Sequence, residues 1–123
     1  MLEARHNLDV RKSEIEKEVL RLFSRVKQAI SQSAECLEGS DTQVCKAVVE
    51  TDPEINDAEH RIEQDCMLAI ALHQPVARDL REIVAATRIA GELERIGDYA
   101  KGIAKINLMM ADEPFIKPLV DIP

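Results

Sequence analysis

Long stretches in which apolar residues return every three, four or seven positions, interrupted at only two places, constrain this chain more than any other feature. In the first stretch Leu8, Ile15, Val19, Leu22, Val26, Ile30 and Leu37 follow at steps of 7, 4, 3, 4, 4 and 7, the spacing that lines one face of an α-helix. Asn7 is the expected N-cap. Gly39 is the expected end, because glycine accepts the left-handed conformation that closes helices. Ser40 or Asp41 then caps a second helix, and so short a connection makes the two helices antiparallel neighbours. That helix carries Val44, Val48, Ile55, Ile62 and Ala69, the last four spaced by sevens. Thr51-Asp52-Pro53 is a local helix-start signal. The apolar register nevertheless passes Pro53 without a phase change, so the spacing predicts one helix, kinked there. A second reversal at His73-Gln74-Pro75 leads into a third helix from about Val76 to about Met110.

Four glycines and five prolines in 123 residues cannot supply the frequent turns of a β-sandwich. The expected fold is all-α: an antiparallel three-helix bundle over residues 1–110, its long helices packed in the spectrin manner. With aromatics at 2%, the seams between helices must be filled by Ile, Leu, Val and Ala. Residues 111–123 hold three prolines and no periodicity, and finish on Leu119-Val120-Asp121-Ile122-Pro123. They read as a linker-like tail, and the chain as part of a longer polypeptide.

A net charge of −7, from 23 acids against 16 bases, lacks the basic stripe that nucleic acid requires. It suits a cation or a basic protein partner instead. Cys36, Cys45 and Cys66 form no CxxC and read as buried free thiols of a reducing cytoplasm. The N-terminus has no apolar signal core, and no run reaches the ~20 residues of a membrane span. The expected location is the cytoplasm.

The third helix carries the chemistry. Ile89, Leu93, Ile96, Ala100, Ile103 and Met110 form one stripe, whereas Val76, Leu80, Ile83 and Val84 point to the other side. The apolar face is therefore expected to rotate along the helix. Away from the later stripe lie Glu94 and Asp98, a like-charge i,i+4 pair that costs about 0.2–0.5 kcal/mol. Around them are Gly91, Gly97 and Gly102, each about 1 kcal/mol worse than Ala in a helix. Tight helix contact or a ligand should offset this. On the second helix Asp52, Asn56, Glu59 and Glu63 lie one turn apart, and antiparallel packing lets Asp52 and Asn56 face Glu94 and Asp98. Three carboxylates and an amide would suit oxygen-seeking cations such as Mg²⁺, Mn²⁺ or iron. The competing reading is a solvated face neutralised by Arg95, Lys101 and Lys105. A di-iron site would need two Glu-x-x-His copies, and only Glu3-x-x-His6 is present. His60 and His73 read as surface or turn residues. With no nucleophile motif or phosphate-cradling loop, the chain reads as a binding module, not an enzyme.

The runs Gln74-Pro75-Val76-Ala77-Arg78-Asp79-Leu80-Arg81 and Glu92-Leu93-Glu94-Arg95-Ile96-Gly97-Asp98-Tyr99-Ala100, with Asp52-Pro53-Glu54-Ile55-Asn56, resemble the PhoU family of phosphate-uptake regulators. The resemblance covers Leu8 to about Met110. It implies tandem three-helix bundles, of which one is present, with Ile116 to Pro123 similar to the linker into a second. It further implies iron or zinc clusters held by paired acid-x-x-x-acid motifs, which correspond here to Glu94 and Asp98 with Asp52 and Asn56. Asn56 departs from the carboxylate pattern. The implied role is negative control of phosphate uptake, as an adaptor between a phosphate-specific ABC transporter and a membrane sensor kinase. Arg78, Asp79 and Arg81 are candidates for a partner surface. A soluble domain of a sodium–phosphate cotransporter and a metal-binding helical module of another role are the alternatives. A lone bundle leaves an apolar flank uncovered, so a homo-oligomer, such as a homodimer, is also expected.

Overall fold

The computed structural model describes residues 2–39 and 41–112. It is a three-helix bundle: α1 (Leu2–Gly39), α2 (Thr42–His73) and α3 (Ala77–Asp112), each packed against the other two. Helix α1 begins at Leu2, so Asn7 lies inside it and is no cap. Asp41 does cap α2: its side chain accepts from the Gln43 N–H at 3.0 Å, while its carbonyl accepts from the Cys45 N–H. Helix α2 runs unbroken through Pro53. At its end Gln74 takes the left-handed conformation and donates its N–H to the Ile70 carbonyl, and Pro75 is buried beneath the reversal. Ala111 and Asp112 belong to α3. The rest of the expected tail, 113–123, lies outside the described residues.

Two reversals make α1 and α3 parallel to each other and antiparallel to α2. Arg5 and Lys12 near the start of α1 bind Asp79 near the start of α3, at 2.6 and 2.7 Å. Toward the other end the Asn107 amide of α3 donates to the Cys36 carbonyl of α1 at 2.9 Å.

The core keeps a period of seven, using smaller residues than hydrophobicity alone selects. Along α1 the buried lane is Leu8, Ile15, Leu22, Ala29 and Cys36, with Val26 and Ser33 beside it. Ile30 and Leu37, expected inside, are about half exposed. In α3 the buried lane is Ile83, Ala90, Gly97 and Ala104, flanked by Leu93 and Ala100. The expected rotation of the apolar face therefore does not occur. Ile83 and Leu93 share one continuous seam, whereas Ile89, Ile96, Ile103 and Met110 are exposed along a separate stripe. Small residues are buried because helix backbones at close approach leave room for little else.

Cys36 and Cys45 are joined by a disulfide across the α1–α2 connection, with Cα atoms 5.2 Å apart, and the Asn107 amide lies 3.2 and 3.3 Å from the two sulfurs. This corrects the expectation of three free thiols. The two cysteines flank a two-helix reversal, which makes them neighbours despite the absence of a CxxC motif. Cys66 is free and buried, and burial pushes its thiol up from the ordinary range.

Candidate functional site

The seam between α2 and α3 collects the acidic residues of both helices. Its anchor is Asp52, which occupies a core lane of α2 in register with Cys45 and Cys66 and is only 2% exposed. Lys101 of α3 reaches its Oδ2 at 3.1 Å, and the Asn56 amide donates to the same oxygen at 3.5 Å. The other oxygen of Asp52 and the carbonyl oxygen of Asn56 are buried and accept no hydrogen bond. Gly97 makes this approach possible. A Cβ there would lie 3.2 and 3.3 Å from the Ile55 side chain and 3.9 Å from Asp52 Oδ1. Tight helix contact thus accounts for one of the three glycines of α3. Open space surrounds the Cβ positions of Gly91 and Gly102, and nothing in the structure explains them.

One turn along the seam, Glu94 sits in the combined field of Asp98 and Asp52. Burial, a contact with Asp98 and these charges push its carboxyl up from the ordinary range. Across on α2, Glu59 is raised by burial, by contact with Glu63 and by the charges of Glu63 and Glu94. Two carboxylates in contact are both acceptors, so a shared proton or a cation is needed to join them. Glu59, His60 and Glu63 also have ligand atoms within 4.8 Å of one another, and His60 Nδ1 lies 3.8 Å from Glu59 Oε1. His60, read from sequence as a surface residue, is exposed and belongs to this group. The spacing Glu59-His60-x-x-Glu63 was the available signal.

The structure therefore gathers Glu94, Asp98, Asp52 and Asn56 along one seam and adds Glu59 and Glu63 to it. It commits one oxygen of Asp52 to Lys101. Of the neutralising bases expected, Lys101 fills that role at Asp52, while Arg95 leans on Glu92 at 3.9 Å.

The first turn of α3 is differently employed. Asp79 is held by Arg5 and Lys12, which lower its carboxyl well below the usual range. Arg78 pairs with Glu82 at 3.1 Å, and Arg81 is exposed. Asp79 thus ties two helices together, leaving the arginines as the outward-facing part of the expected partner surface.

A further carboxyl pair lies between α1 and α2. Glu18 is pushed up to about 7 by burial, then by contact with Asp65 and its charge, against the opposing pull of Arg61 and Arg21. Its Oε2 is buried without a donor. An acid whose folded value is raised binds its proton more tightly in the native state. Its stabilisation is complete below the unfolded value near 4.5 and is lost as pH rises through about 7. Glu59 and Glu94 act in the same direction. Allowing for solvent screening, Glu18→Gln should gain about 1 kcal/mol over the parent at pH 8 and little at pH 4. Thermal melts at the two pH values check this, and equal gains at both would contradict the shared-proton reading.

Together the fold and the seam define a class: an all-α bundle that presents a carboxylate-lined surface between two antiparallel helices. The PhoU domain family model matches residues 8–106, and the chain belongs to that family. It is 37% identical over 109 residues to a phosphate-specific transport system accessory protein PhoU homolog of Aquifex aeolicus, covering 89% of this chain and 49% of the relative. It is 41% identical over 78 residues to the homolog of Rhizobium meliloti, covering 63% and 33%. It is 34% identical over 94 residues to the PhoU accessory protein of Escherichia coli, covering 76% and 39%. The chain thus spans half or less of the length of these relatives. Among the described residues no helix is long and apolar enough to cross a membrane.

Proposed function

We propose that this chain is a non-enzymatic regulatory module of inorganic phosphate uptake whose α2–α3 seam binds a metal ion. The regulatory part rests on family membership and on relatives named as accessory proteins of phosphate-specific transport. The single observation that carries the metal part is the position of Glu94. Its carboxyl is raised by burial and then by contact with Asp98, lies in the field of Asp52, and adds to the raised carboxyl of Glu59 across the seam. A divalent or trivalent cation would replace the proton these groups otherwise share.

The ligand atoms of Glu59, His60 and Glu63 lie within 4.8 Å of one another, which supports such a site. Glu94 and Asp98 from α3 and Glu59 and Glu63 from α2 would supply carboxylate oxygens, with the unpartnered carbonyl oxygen of Asn56 beneath them. An oxygen-rich set accepts iron, manganese or magnesium; zinc remains in the comparison because of the family resemblance and the adjacent His60. Asp52, already bound to Lys101, would shape the floor and add negative potential. Regulation would follow as a binding equilibrium: a partner that prefers the metal-loaded state shifts the population toward it.

The partners proposed are the ATPase component of a phosphate ABC transporter and its sensor kinase, in the cytoplasm. The chain immobilised with iron or zinc should retain the ATPase component, and chelation should reduce capture by about tenfold, a coupling of roughly 1.4 kcal/mol. Absence of capture in both states would contradict the adaptor role.

A further inference from the structure

The Cys36–Cys45 bridge lies outside the acidic seam, and its surroundings are those of an exchange site. Cys36 belongs to the last turn of α1 and Cys45 to the first turn of α2, with a sequence separation of 9. Both side chains are buried, but only by the ends of two helices. Fraying of those two turns exposes the sulfurs to a small thiol while the rest of the bundle stays packed. Cys66 is buried in the middle of α2, where no such local opening reaches it. The second observation is Asn107 of α3. Its amide donates to the Cys36 carbonyl at 2.9 Å and stands 3.2 and 3.3 Å from the Sγ atoms of Cys36 and Cys45. A neutral sulfur is a weak acceptor, whereas a thiolate carries a full charge and binds an N–H donor far better. An amide held against both sulfurs therefore favours the reduced pair. The N-terminus of α2 favours a thiolate on Cys45 in the same direction. A disulfide that serves only as a staple gains nothing from either feature.

We propose that Cys36 and Cys45 form a reversible thiol–disulfide exchange site, with Asn107 as its positioning residue and a low-molecular-weight disulfide of the glutathione type as its co-substrate. In the forming direction the Cys45 thiolate attacks one sulfur of the oxidised co-substrate. That S–S bond breaks, a mixed disulfide forms on Cys45, and the first thiolate leaves. The Cys36 thiolate then attacks Cys45 Sγ and displaces the second. Two electrons pass from the cysteine pair to the co-substrate, and the two protons given up by the cysteines end on the two departing thiols. The reverse sequence opens the bridge. Closed, it ties α1 to α2, with Asn107 holding α3 against the same point. Open, the two helix ends are joined only by the chain between them. The firmness of this end of the bundle thus follows the thiol balance of its surroundings.

The test equilibrates the 123-residue chain, with a chelator present, in a series running from oxidised glutathione alone to reduced glutathione alone. Free thiols are then trapped with a maleimide and the peptides read by mass spectrometry. Cys36 and Cys45 should convert together, with a midpoint inside the series, while Cys66 stays unlabelled until the protein is denatured. Asn107→Leu should move the exchange constant about tenfold toward the disulfide, or about 30 mV for a two-electron couple. The bridged parent should melt roughly 5–10 °C above the reduced parent, and Cys45→Ser should melt with the reduced form at every glutathione ratio. A pair that stays bridged in reduced glutathione alone would overturn the proposal, since the bridge would then be a permanent staple. So would a pair that stays unbridged in oxidised glutathione alone, or one that stops at a glutathione adduct on Cys45. An Asn107→Leu midpoint equal to the parent's would overturn the role given to Asn107.

Discussion

Lys101→Ala should cost this bundle about 2–4 kcal/mol and lower its melting temperature by roughly 10 °C. Asp52 occupies a core lane and is 2% exposed, and Lys101 at 3.1 Å is its cationic partner. Without the ammonium, one carboxylate oxygen keeps only a long contact to Asn56 and the other has none. Breaking a fully buried pair costs about 3–5 kcal/mol. The lower range applies because the Lys101 side chain is partly exposed, and water can reach the gap it leaves. The penalty belongs to the orphaned charge, not to the strength of the pair, so Asp52→Asn in the Lys101→Ala background should recover about 1–2 kcal/mol. The double variant Asp52→Leu, Lys101→Met, apolar on both sides, should melt near the parent. Circular-dichroism melts of the four proteins check this, and a Lys101→Ala shift below about 2 °C would mean that water already solvates Asp52.

Asp52 also shows where the sequence could and could not be read. Asp52 stands seven residues from Cys45 and fourteen from Cys66, the period of a buried lane, but a carboxylate is so seldom buried that the sequence reading set it on the acidic strip, and only the fold reveals the lysine that makes its burial tolerable. Three helices and two reversals were legible, and the α2 cap was narrowed to Ser40 or Asp41, because turn chemistry is local; the Asn7 cap was misread because the helical pattern of α1 continues N-terminal to it, to Leu2. The apolar lanes were legible where the residues are large, as at Leu8, Ile15, Leu22 and Val26. They were misread wherever the helices close up. Ala29, Cys36, Ala90, Gly97 and Ala104 carry little hydrophobic signal, yet they are the residues that close packing admits. Ile30, Leu37, Ile96 and Ile103 carry a strong signal and lie outside. Periodicity registers that a face is apolar, not which neighbour covers it. The same limit applied to the cysteines, whose pairing depends on how two helix ends meet.

The acidic seam was partly visible for a related reason. Glu94 and Asp98 sit one turn apart on a single helix, and that spacing can be read from the chain. Their cross-helix partners depend on register, which an antiparallel pair can shift by one turn at little cost to the pattern. The sequence expectation set Asp52 and Asn56 opposite them. The structure keeps that neighbourhood, occupies Asp52 with Lys101, and carries the acidic strip on through Glu59 and Glu63.

The largest functional effect should appear at these residues. A site built from several carboxylates loses a charged ligand with each Glu→Gln or Asp→Asn change, and like-charge repulsion that the cation had offset falls at the same time. Metal content should therefore collapse while the fold becomes slightly more stable in the apo state, a combination that general unfolding cannot produce. The test is elemental analysis of the protein purified without chelators and reloaded separately with iron, zinc, manganese and magnesium, comparing the parent with Glu94→Gln, Asp98→Asn, Glu59→Gln and Asp52→Asn. The account predicts bound metal in the parent, loss of most of it in the Glu94, Asp98 and Glu59 variants, and retention in Asp52→Asn. A parent that binds none of the four metals, or a metal content that survives Glu94→Gln together with Asp98→Asn, would contradict it.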